Sequence, residues 1–361
     1  MKVDKVTYKN FRNIEYAEVE PCPTVTAFTG KNGQGKTNGL EGIYLFARGR
    51  SFRTTREREL ISFGCETGEI TLSFTDERRR QEMSVVWNSK GKRICKKNGV
   101  TLKKMSELIG VFRAVLFCPQ QLAIVNEGPS ERRAFLDVAI SQLDHTYLSA
   151  LQRYYKILSQ RNAHIKQIRE RYDRRLTDAD TTTAEVLSEQ LCAEAETITS
   201  KRSEYVCELD AHIKNFFNDM TIGREKPDIR YQSETSPEEL YSKLCSDFER
   251  EIRYGATLHG IHKDDIEIIL DGHEARSFAS QGQQRSIALS MKLGEGEISR
   301  SRTGEYPVFL FDDIMSELDI ERRDYIVKEM EDRQVIITSC NPLENAQREY
   351  TVEKGVYILN H

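Results

Sequence analysis

The chain has 361 residues, a net charge of −4 and 30% charged side chains, and this length suits two domains of roughly 100–200 residues each. Its mean hydropathy is −0.58, and no apolar run approaches the ~18 residues of a membrane span. The opening MKVDKVTYKN lacks the apolar stretch of a signal peptide. The eight cysteines form no C-x-x-C pair, which favours a reducing, cytoplasmic location. Membrane-integral, secreted and disordered classes are therefore excluded.

The net charge conceals an asymmetry along the chain. Residues 1–120 carry 22 Lys and Arg against 13 Asp and Glu, a balance of +9, whereas residues 121–361 have a balance of −13. Because Lys and Arg displace counterions from phosphates, a basic third is typical of a polyanion-binding surface. A solvated basic face accounts for the same counts, so charge alone leaves both interpretations open.

The first third of the chain is rich in predicted strands. Four short segments have the alternation or the apolar, β-rich content of strands: Lys2–Tyr8, Ile14–Val19, Thr24–Thr29 and Ala114–Phe117. A helix is predicted over Lys36–Ala47. Residues 66–101 are predicted to form an antiparallel meander, in which Asn98-Gly99 is a strong signal for a tight hairpin.

A helical region occupies the middle of the chain. Ser130, with Glu131 in the first turn, predicts the start of a helix. The next helix carries a heptad seam with alternating intervals of four and three: Tyr147, Leu151, Tyr154, Leu158, Arg161, Ile165, Ile168 and Tyr172. Thr177–Thr183 is predicted as a polar break before a return helix from about Ala184 to Met220. The pattern predicts an antiparallel arm of ~45 Å, with Arg161 as a paired core residue.

Strands and helices alternate again towards the end of the chain. The predicted elements are a strand, a helix, a buried strand, a helix and a strand: Asp265–Leu270, Gln283–Glu295, Val308–Phe311, Ile320–Met330 and Val335–Thr338. The β-rich ends bracket the helical middle. The sequence therefore predicts an α/β head formed by residues 1–125 and 256–361, with an inserted helical arm domain at 126–255.

Residues 30–37, GKNGQGKT, match the phosphate-loop pattern G-x-x-x-x-G-K-T between a predicted strand and a predicted helix. The glycines let backbone N–H groups surround a phosphate, and the helix N-terminus adds partial positive charge. Lys36 is expected to neutralise β- and γ-phosphate oxygens, and the Thr37 hydroxyl to ligate Mg²⁺. The alternative, a plain glycine-rich turn, is disfavoured by the strand–loop–helix context.

Two acids directly follow the buried strand at Val308–Phe311. Acids at the carboxyl end of a parallel strand lie at the edge where ligands bind. Asp312 is expected to hold Mg²⁺ through water, and Asp313 to orient or deprotonate the attacking water. Because about 275 residues separate this pair from Lys36, the helical arm is an insertion between two halves of one site.

Three further segments match positions in ABC-type ATPases. Ser280–Gln283 precedes a predicted helix and resembles the S-G-G-Q signature, which in that class serves the γ-phosphate of the partner subunit in a head-to-tail dimer. As a lone motif it is more often a turn with a helix cap. Ser316–Asp319 matches the D-loop position. Thr338-Ser339 lies where many ABC proteins place a switch histidine, so a hydroxyl is expected to replace that residue.

Together these residues resemble the RecF family of bacterial recombination mediator ATPases, which are related to SMC-type heads. The resemblance runs nearly end to end through NFRN, GKNGQGKTN, LEGIYL, GRSFR, GPSERRAFLD, QRN, HGIHKDD, FASQGQQR and FLFDDIMSELD. It implies an ABC/SMC-type ATPase head. The implied nucleotide-binding residues are Arg12, Gly30, Lys31, Asn32, Gly33, Gln34, Gly35, Lys36, Thr37, Asn38, Ser280, Gln281, Gly282, Gln283 and Asp319.

The resemblance also implies an activity and partners. It implies ATP and Mg²⁺ as cofactors, an ATP-dependent homodimer, and weak ATP hydrolysis stimulated by DNA. The expected ligands are double-stranded DNA and junctions with single strands, where the protein acts with RecO and RecR to help RecA load. The implied Mg²⁺ ligands are Thr37, Asp312 and, near the Q-loop position, Gln120 or Gln121.

The chain departs from the family pattern at two places. Gln120 and Gln121 replace the acidic residues that family members usually carry after F-x-P. The Mg²⁺ ligands at this position are therefore left undetermined. Gly39 and Gly42 replace Leu and Ala in the helix after the phosphate loop. Since glycine costs about 1 kcal/mol in a helix interior, close packing or a softer first turn is implied.

Other classes and sites are weaker hypotheses. A transporter ATPase subunit is disfavoured by the arm and the basic first third, a DNA tether by the short arm, and an overcoming-lysogenization-type nuclease by the few residues after Asp319. His259 and His262 are interpreted as structural rather than as a metal pair. The candidate phosphate contacts lie in three basic stretches, namely Arg48–Arg58, Arg78–Arg80 and Lys90–Lys104.

Overall fold

The computed structural model describes residues 1–171, 176–221, 223–315, 318–343 and 346–360. The chain divides into two compact units. The first, here called the sheet unit, comprises Met1–Leu122, Phe216–Arg224 and the described part of Ala288–His361. The second, the helical unit, comprises Ala123–Asn215 and Glu225–Ile287. Residues 256–287, which the sequence places in the head, group with the helical unit, and Phe216–Arg224, which it places in the arm, groups with the sheet unit. The predicted domain boundaries otherwise stay a prediction.

The described strands, in chain order, are β1 (Lys2–Phe11), β2 (Ile14–Val19), β3 (Val25–Thr29), β4 (Thr67–Thr75), β5 (Arg80–Asn88), β6 (Arg93–Lys97), β7 (Val100–Leu102), β8 (Ala114–Phe117), β9 (Pro227–Gln232), β10 (Asp265–Leu270), β11 (His273–Glu274), β12 (Val308–Asp312), β13 (Val335–Ser339), β14 (Arg348–Glu353) and β15 (Val356–Leu359). The described α-helices are α1 (Lys36–Arg48), α2 (Ala123–Asn126), α3 (Pro129–Ser141), α4 (His145–Glu170), α5 (Asp178–Thr221), α6 (Pro237–Ser246), α7 (Phe248–Tyr254), α8 (Ala275–Phe278), α9 (Gln281–Thr303) and α10 (Ile320–Glu329). None of these helices combines the length and the hydropathy needed to cross a bilayer.

The sheet unit contains two six-stranded sheets. One is an antiparallel meander in the order β2-β1-β4-β5-β6-β7. The other has the order β15-β14-β3-β13-β12-β8, in which all neighbours are parallel except β14 and β15. β12 is buried at every residue, as expected for a central parallel strand covered on both faces. This mixed sheet brings the carboxyl ends of β3, β12 and β13 to one edge.

Most predicted elements of the sheet unit are confirmed. β2 and β8 have the predicted bounds. Asn98 and Gly99 join β6 to β7 with φ of 50° and 81°, which is the pattern of a type I′ hairpin turn. β14 and β15 are not among the predicted elements, although Val356–Leu359 is a short run of apolar and aromatic residues.

The helical unit contains an antiparallel pair formed by α4 and α5. Residues further along α4 contact residues earlier in α5, which shows that the two helices run antiparallel. The contacts are Asp144–Lys201 (3.1 Å), Arg153–Glu194 (2.5 Å) and Arg161–Ser188 (3.1 Å). The described members of the heptad seam in α4 are all buried, as predicted, and Tyr172 lies outside the described residues.

Two helix starts differ from the prediction. α3 begins at Pro129 with Gly128 as its N-cap, so Ser130 is inside the first turn. The predicted polar break at Thr177–Thr183 is wrong, because α5 begins at Asp178. The Asp180 carboxylate accepts hydrogen bonds from the N–H and hydroxyl of Thr177 (3.0 and 2.6 Å), and acids favour a helix N-terminus.

Arg161, His259 and His262 of the helical unit are each held by neighbouring side chains. Arg161 is 0% exposed and pairs with Glu251 at 2.6 Å. The His259 ring contacts carboxylates through both nitrogens, and His262 contacts the Tyr154 hydroxyl at 2.8 Å. In the part of the chain that the structure describes, no group of three or more His, Cys, Asp or Glu side chains is arranged to hold a metal ion.

Close packing explains the two glycines of α1. A Cβ on Gly39 would lie 2.3 Å from the Tyr357 hydroxyl oxygen, and one on Gly42 would lie 2.6 Å from a Tyr8 ring carbon. Both distances are far below van der Waals contact. Glycine therefore lets β1 and β15 approach α1, and of the two predicted explanations the structure supports close packing.

Candidate functional site

The phosphate loop connects β3 to α1 in a backbone conformation that depends on glycine. Gly30, Gly33 and Gly35 have φ of 142°, 79° and 116°, values that L-residues with side chains rarely adopt. Gly35 is the N-cap of α1, with no side-chain hydrogen bond at the cap and no acid in the first turn. The first amides of α1 are thus available to an anion, which the helix dipole also favours.

Lys36 lies inside the loop that it follows. Its side chain is buried, and its ammonium donates hydrogen bonds to the backbone carbonyls of Gly30 (2.5 Å) and Lys31 (3.0 Å). The rest of the predicted loop is more open, since Lys31, Asn32 and Gly33 are exposed. A fixed positive charge therefore lies beside the backbone carbonyls of the loop.

The turn between β14 and β15 holds the phosphate loop from outside. The N–H of Lys354 donates to the Gln34 side-chain oxygen, and the N–H of Gly355 donates to the Gln34 carbonyl, both at 2.8 Å. The Tyr357 hydroxyl donates to the Gly35 carbonyl at 2.9 Å. Sequence reasoning missed this support, because no local pattern links residues so far apart.

Asp312 ends β12 beside the start of α1. Its Oδ1 accepts hydrogen bonds from the hydroxyls of Thr37 and Thr338, each at 2.8 Å. Burial raises the pKa of the Asp312 carboxyl, and these two hydrogen bonds act in the opposite direction. A carboxylate beside a hydroxyl at the helix start supplies the hard oxygen donors that Mg²⁺ prefers. The structure thus brings together Thr37 and Asp312, two of the residues predicted as metal ligands, from distant segments.

Asp313 and Thr338 form the next part of this edge. Asp313 has a φ of 52°, which is strained for a residue with a side chain. Its N–H donates to the Thr338 hydroxyl at 2.9 Å, and the same hydroxyl donates to Asp312. A hydroxyl at the predicted switch position therefore contacts both acids of the pair.

Gln120 and Gln121 lie in a short 3₁₀ turn directly after β8. Since β8 pairs in parallel with β12, with Phe117 opposite Phe311, the turn follows the same sheet edge as Asp312. Gln120 is exposed and Gln121 is half-buried. Among the hydrogen bonds of the described residues, neither glutamine side chain bonds to Thr37 or Asp312.

Arg12 and Asn38 flank the phosphate loop and are held by other side chains. The Arg12 guanidinium pairs with Glu41 at 2.6 Å. The Asn38 amide donates to Asn13 at 2.7 Å and its oxygen accepts from Arg53 at 2.6 Å. Sequence reasoning did not single out Glu41, whose apolar surroundings in LEGIYL indicate only a helix core.

The predicted signature forms a helix cap within the helical unit. The Ser280 hydroxyl accepts from the Gln283 N–H at 3.3 Å, and the Gln283 side chain accepts from the Ser280 N–H at 2.6 Å, which is a capping box. Gln281 is exposed and Gly282 is half-buried. The structure therefore shows the helix cap that is the alternative interpretation of this motif, and Gln281 lies at the surface.

Asp319 caps the next helix. Its Oδ1 accepts from the Arg322 N–H at 2.9 Å at the start of α10. Ser316 and Glu317 of the predicted D-loop lie outside the described residues.

A basic pocket lies in the segment after α1. It has a volume of about 430 Å³ and is lined by residues that include Arg48, Arg50, Arg53 and Arg56. Four guanidinium groups around one concavity are the arrangement expected for an anion such as a phosphate. The pocket coincides with the first of the three basic stretches predicted as phosphate contacts.

Known proteins resemble the chain in sequence and fold. A family model described as the RecF/RecN/SMC N-terminal domain matches residues 2–357. The DNA replication and repair protein RecF of Clostridium novyi (strain NT) is 34% identical over 349 residues, which cover 95% of this chain and 94% of that protein. A solved structure of the recombination mediator protein RecF-ATP in the RecFOR pathway has a TM-score of 0.92 and 32% identity, covering 100% of this chain and 98% of that chain.

A more distant likeness bears on the fold alone. The Smc head bound to the C-winged helix domain of ScpA has a TM-score of 0.58 at 16% identity, and the match covers 99% of this chain and 97% of that chain. The predicted ABC/SMC-type head fold is confirmed.

The Tyr357 hydroxyl can be tested as a support of the phosphate loop. Tyr357→Phe removes one donor to the Gly35 carbonyl, which keeps the Gly39 N–H at 3.2 Å. We expect the free energy of unfolding to fall by about 0.5–1.5 kcal/mol, measured by urea denaturation. Tyr16→Phe, whose hydroxyl bonds to Glu18 at the surface, is the matched control. Equal stability of the two variants would show that the hydroxyl does not hold the loop.

Proposed function

This chain belongs to the RecF family of DNA replication and repair proteins, and we propose that it is an ATP-dependent, DNA-binding recombination mediator. It acts at single-strand gaps, where it works with RecO and RecR to help RecA load. The observation that carries the proposal is the Thr37–Asp312 hydrogen bond of 2.8 Å. It joins the start of α1 to the acidic end of β12, although the two residues are 275 positions apart in the chain.

We propose ATP and Mg²⁺ as the ligands of this edge of the mixed sheet. The amides of the phosphate loop and the Lys36 ammonium bind the phosphates, and Thr37 with Asp312 holds the ion, directly or through water. Gln120 or Gln121 completes the ion's shell from the turn after β8. The ion supplies charge neutralisation on the phosphate oxygens when it is bound.

The acid pair has two separate tasks in this proposal. The buried Asp312 is held by two hydroxyl donors, so its orientation is preset. Asp313 is less buried, and its carboxylate orients the attacking water and accepts its proton. Thr338 fixes the two acids relative to each other, because its hydroxyl bonds to both residues. Hydrolysis is weak, is stimulated by DNA and serves as a switch.

The signature residues act in trans in the proposed ATP-driven homodimer. Ser280, Gln281 and Gly282 stand at the N-terminus of α9, a helix of 23 residues. Backbone amides at such an end favour an anion, which the γ-phosphate of the partner subunit provides. Asp319 of the D-loop segment belongs to the same interface.

Double-stranded DNA and its junctions with single strands are proposed to bind the basic pocket around Arg50 and Arg53. Both side chains are exposed, and the charge balance of +9 in residues 1–120 supports a phosphate-binding surface. Contacts of this kind are largely independent of base sequence.

The eight cysteines are free thiols, which supports the proposed cytoplasmic location.

The nucleotide site is tested by two substitutions with different expected effects. Lys36→Ala removes the fixed cation of the loop and should weaken ATP binding by about 100-fold or more. Asp313→Asn should keep the affinity and slow hydrolysis, because only the water-orienting carboxylate changes. A fluorescent ATP titration and phosphate release measure the two effects. Lys214→Ala, in the helical unit, is the control, and equal ATP affinity in Lys36→Ala and wild type would contradict the assignment.

The dimer proposal is tested at the signature. Ser280→Arg places a large cation where backbone must approach a phosphate, so ATP-driven dimerisation should be lost while ATP binding to the monomer is nearly unchanged. Sedimentation velocity with and without ATP measures the oligomeric state. Ser277→Arg, one turn earlier and exposed, should still dimerise. If Ser280→Arg dimerises like Ser277→Arg, the segment is a helix cap only.

The DNA surface is tested by replacing Arg50 and Arg53 together with alanine. Binding should weaken on every duplex sequence, and the log–log salt slope should flatten by about one unit for each lost phosphate contact. ATP should still bind in the absence of DNA, because neither Arg50 nor Arg53 is among the implied nucleotide-binding residues. The paired control replaces Arg250 and Arg253 in the helical unit. A wild-type affinity that is the same at low and moderate salt would refute the surface.

A further inference from the structure

Glu41 is a fully buried carboxylate one helical turn after Thr37 in α1. Its side chain is 0% exposed. A carboxylate removed from water is tolerated only where charged or hydrogen-bonding partners surround it. In this chain the partners of Glu41 come from two separate segments, and both border the proposed ligand sites.

The first segment is the turn between β1 and β2. The Arg12 guanidinium donates to both Glu41 oxygens, at 3.0 Å from Nε and 2.6 Å from Nη2. Its Nη1 donates to the Glu59 carbonyl at 2.9 Å. This two-point pairing with a carboxylate sets the plane of the guanidinium, so Glu41 determines which way Arg12 faces beside the phosphate loop.

The second segment is the basic pocket. The Ser51 hydroxyl donates to Glu41 and accepts from the N–H groups of Arg53 (2.9 Å) and Thr54 (3.1 Å). The Arg53 guanidinium also lies 3.4 Å from Glu41. The carboxylate therefore anchors both the backbone and a side chain of the pocket.

A second route leads from the pocket to the phosphate loop. Arg53 donates to the Asn38 oxygen at 2.6 Å, Asn38 donates to Asn13 at 2.7 Å, and Asn13 donates to the Gln34 carbonyl at 3.0 Å. A shift of Arg53 thus changes the partners of a residue in the loop. Arg53 has two anchors on the nucleotide side, Glu41 and Asn38, and its side chain is 43% exposed.

We propose that Glu41 is a positioning residue that couples DNA binding at the basic pocket to ATP binding at the phosphate loop. Its carboxylate holds the guanidinium groups of Arg12 and Arg53 in fixed orientations. A ligand that reorients one guanidinium therefore changes the orientation of the other. Coupling between two sites is reciprocal, and DNA changes the affinity for ATP by the same factor as ATP changes the affinity for DNA. This inference rests on the proposed function.

The test measures the coupling factor, which is the ATP dissociation constant without a 30-base-pair duplex divided by its value with the duplex. For the full-length wild type we expect a factor of about five or more. Glu41→Gln keeps the shape but cannot pair with two guanidinium groups, so the factor should fall to about one. Glu41→Asp keeps the charge on a shorter stem and should give an intermediate factor. A role in folding alone would lower stability without this graded loss.

Matched variants separate the possible outcomes. Glu69→Gln removes a surface carboxylate paired with Lys9 at 3.5 Å in the same unit and should keep the wild-type factor. If Glu41→Gln does not fold, Ser51→Ala removes one anchor and should lower the factor about twofold to threefold. A wild-type factor in folded Glu41→Gln, or in Ser51→Ala, overturns the inference. Absence of DNA binding by the wild type overturns the proposed function instead.

Discussion

The phosphate loop is held in shape by residues 320 positions further along the chain. The backbone amides of Lys354 and Gly355 bond to Gln34, and the Tyr357 hydroxyl bonds to Gly35. A loop with several glycines in positive φ loses much conformational entropy on folding. External hydrogen bonds offset part of that cost, so the last two strands and their turn stabilise the loop's geometry.

The order of the mixed sheet explains how one site forms from distant segments. β3 lies between β13 and β14, and β12 lies between β13 and β8, so strands from the first third of the chain are interleaved with strands from its end. Thr37 starts the helix that follows β3 and its loop, Asp312 ends β12, and Thr338 is the next-to-last residue of β13. The hydroxyl and carboxylate groups of the three residues therefore lie at one edge. A long insertion between β8 and β12 is tolerated because the pairing of these strands, rather than chain continuity, sets the edge.

Local patterns in the sequence predict much of this structure, and long-range contacts account for what they miss. The phosphate loop, the acidic strand end and the heptad seam of α4 each lie within one continuous segment, and their patterns were sufficient. β14 and β15 are not predicted, and the pairing of β14 with β3 and the hydrogen bonds from Lys354 and Tyr357 to the loop have no local signature. The polar stretch at Thr177–Thr183 is misread because Asp and Thr favour helix starts as well as loops. The partners of Glu41 are likewise invisible in sequence.

Two buried carboxylates of the sheet unit illustrate how surroundings separate structural from chemical tasks. Glu41 is paired with the guanidinium groups of Arg12 and Arg53, so its charge is neutralised within the protein. Asp312 accepts from two neutral hydroxyls, and burial is the main influence that raises the pKa of its carboxyl. Neutral donors orient a carboxylate without cancelling its charge, which leaves Asp312 able to interact strongly with a cation. The first arrangement suits a residue that positions its neighbours, and the second suits a metal ligand.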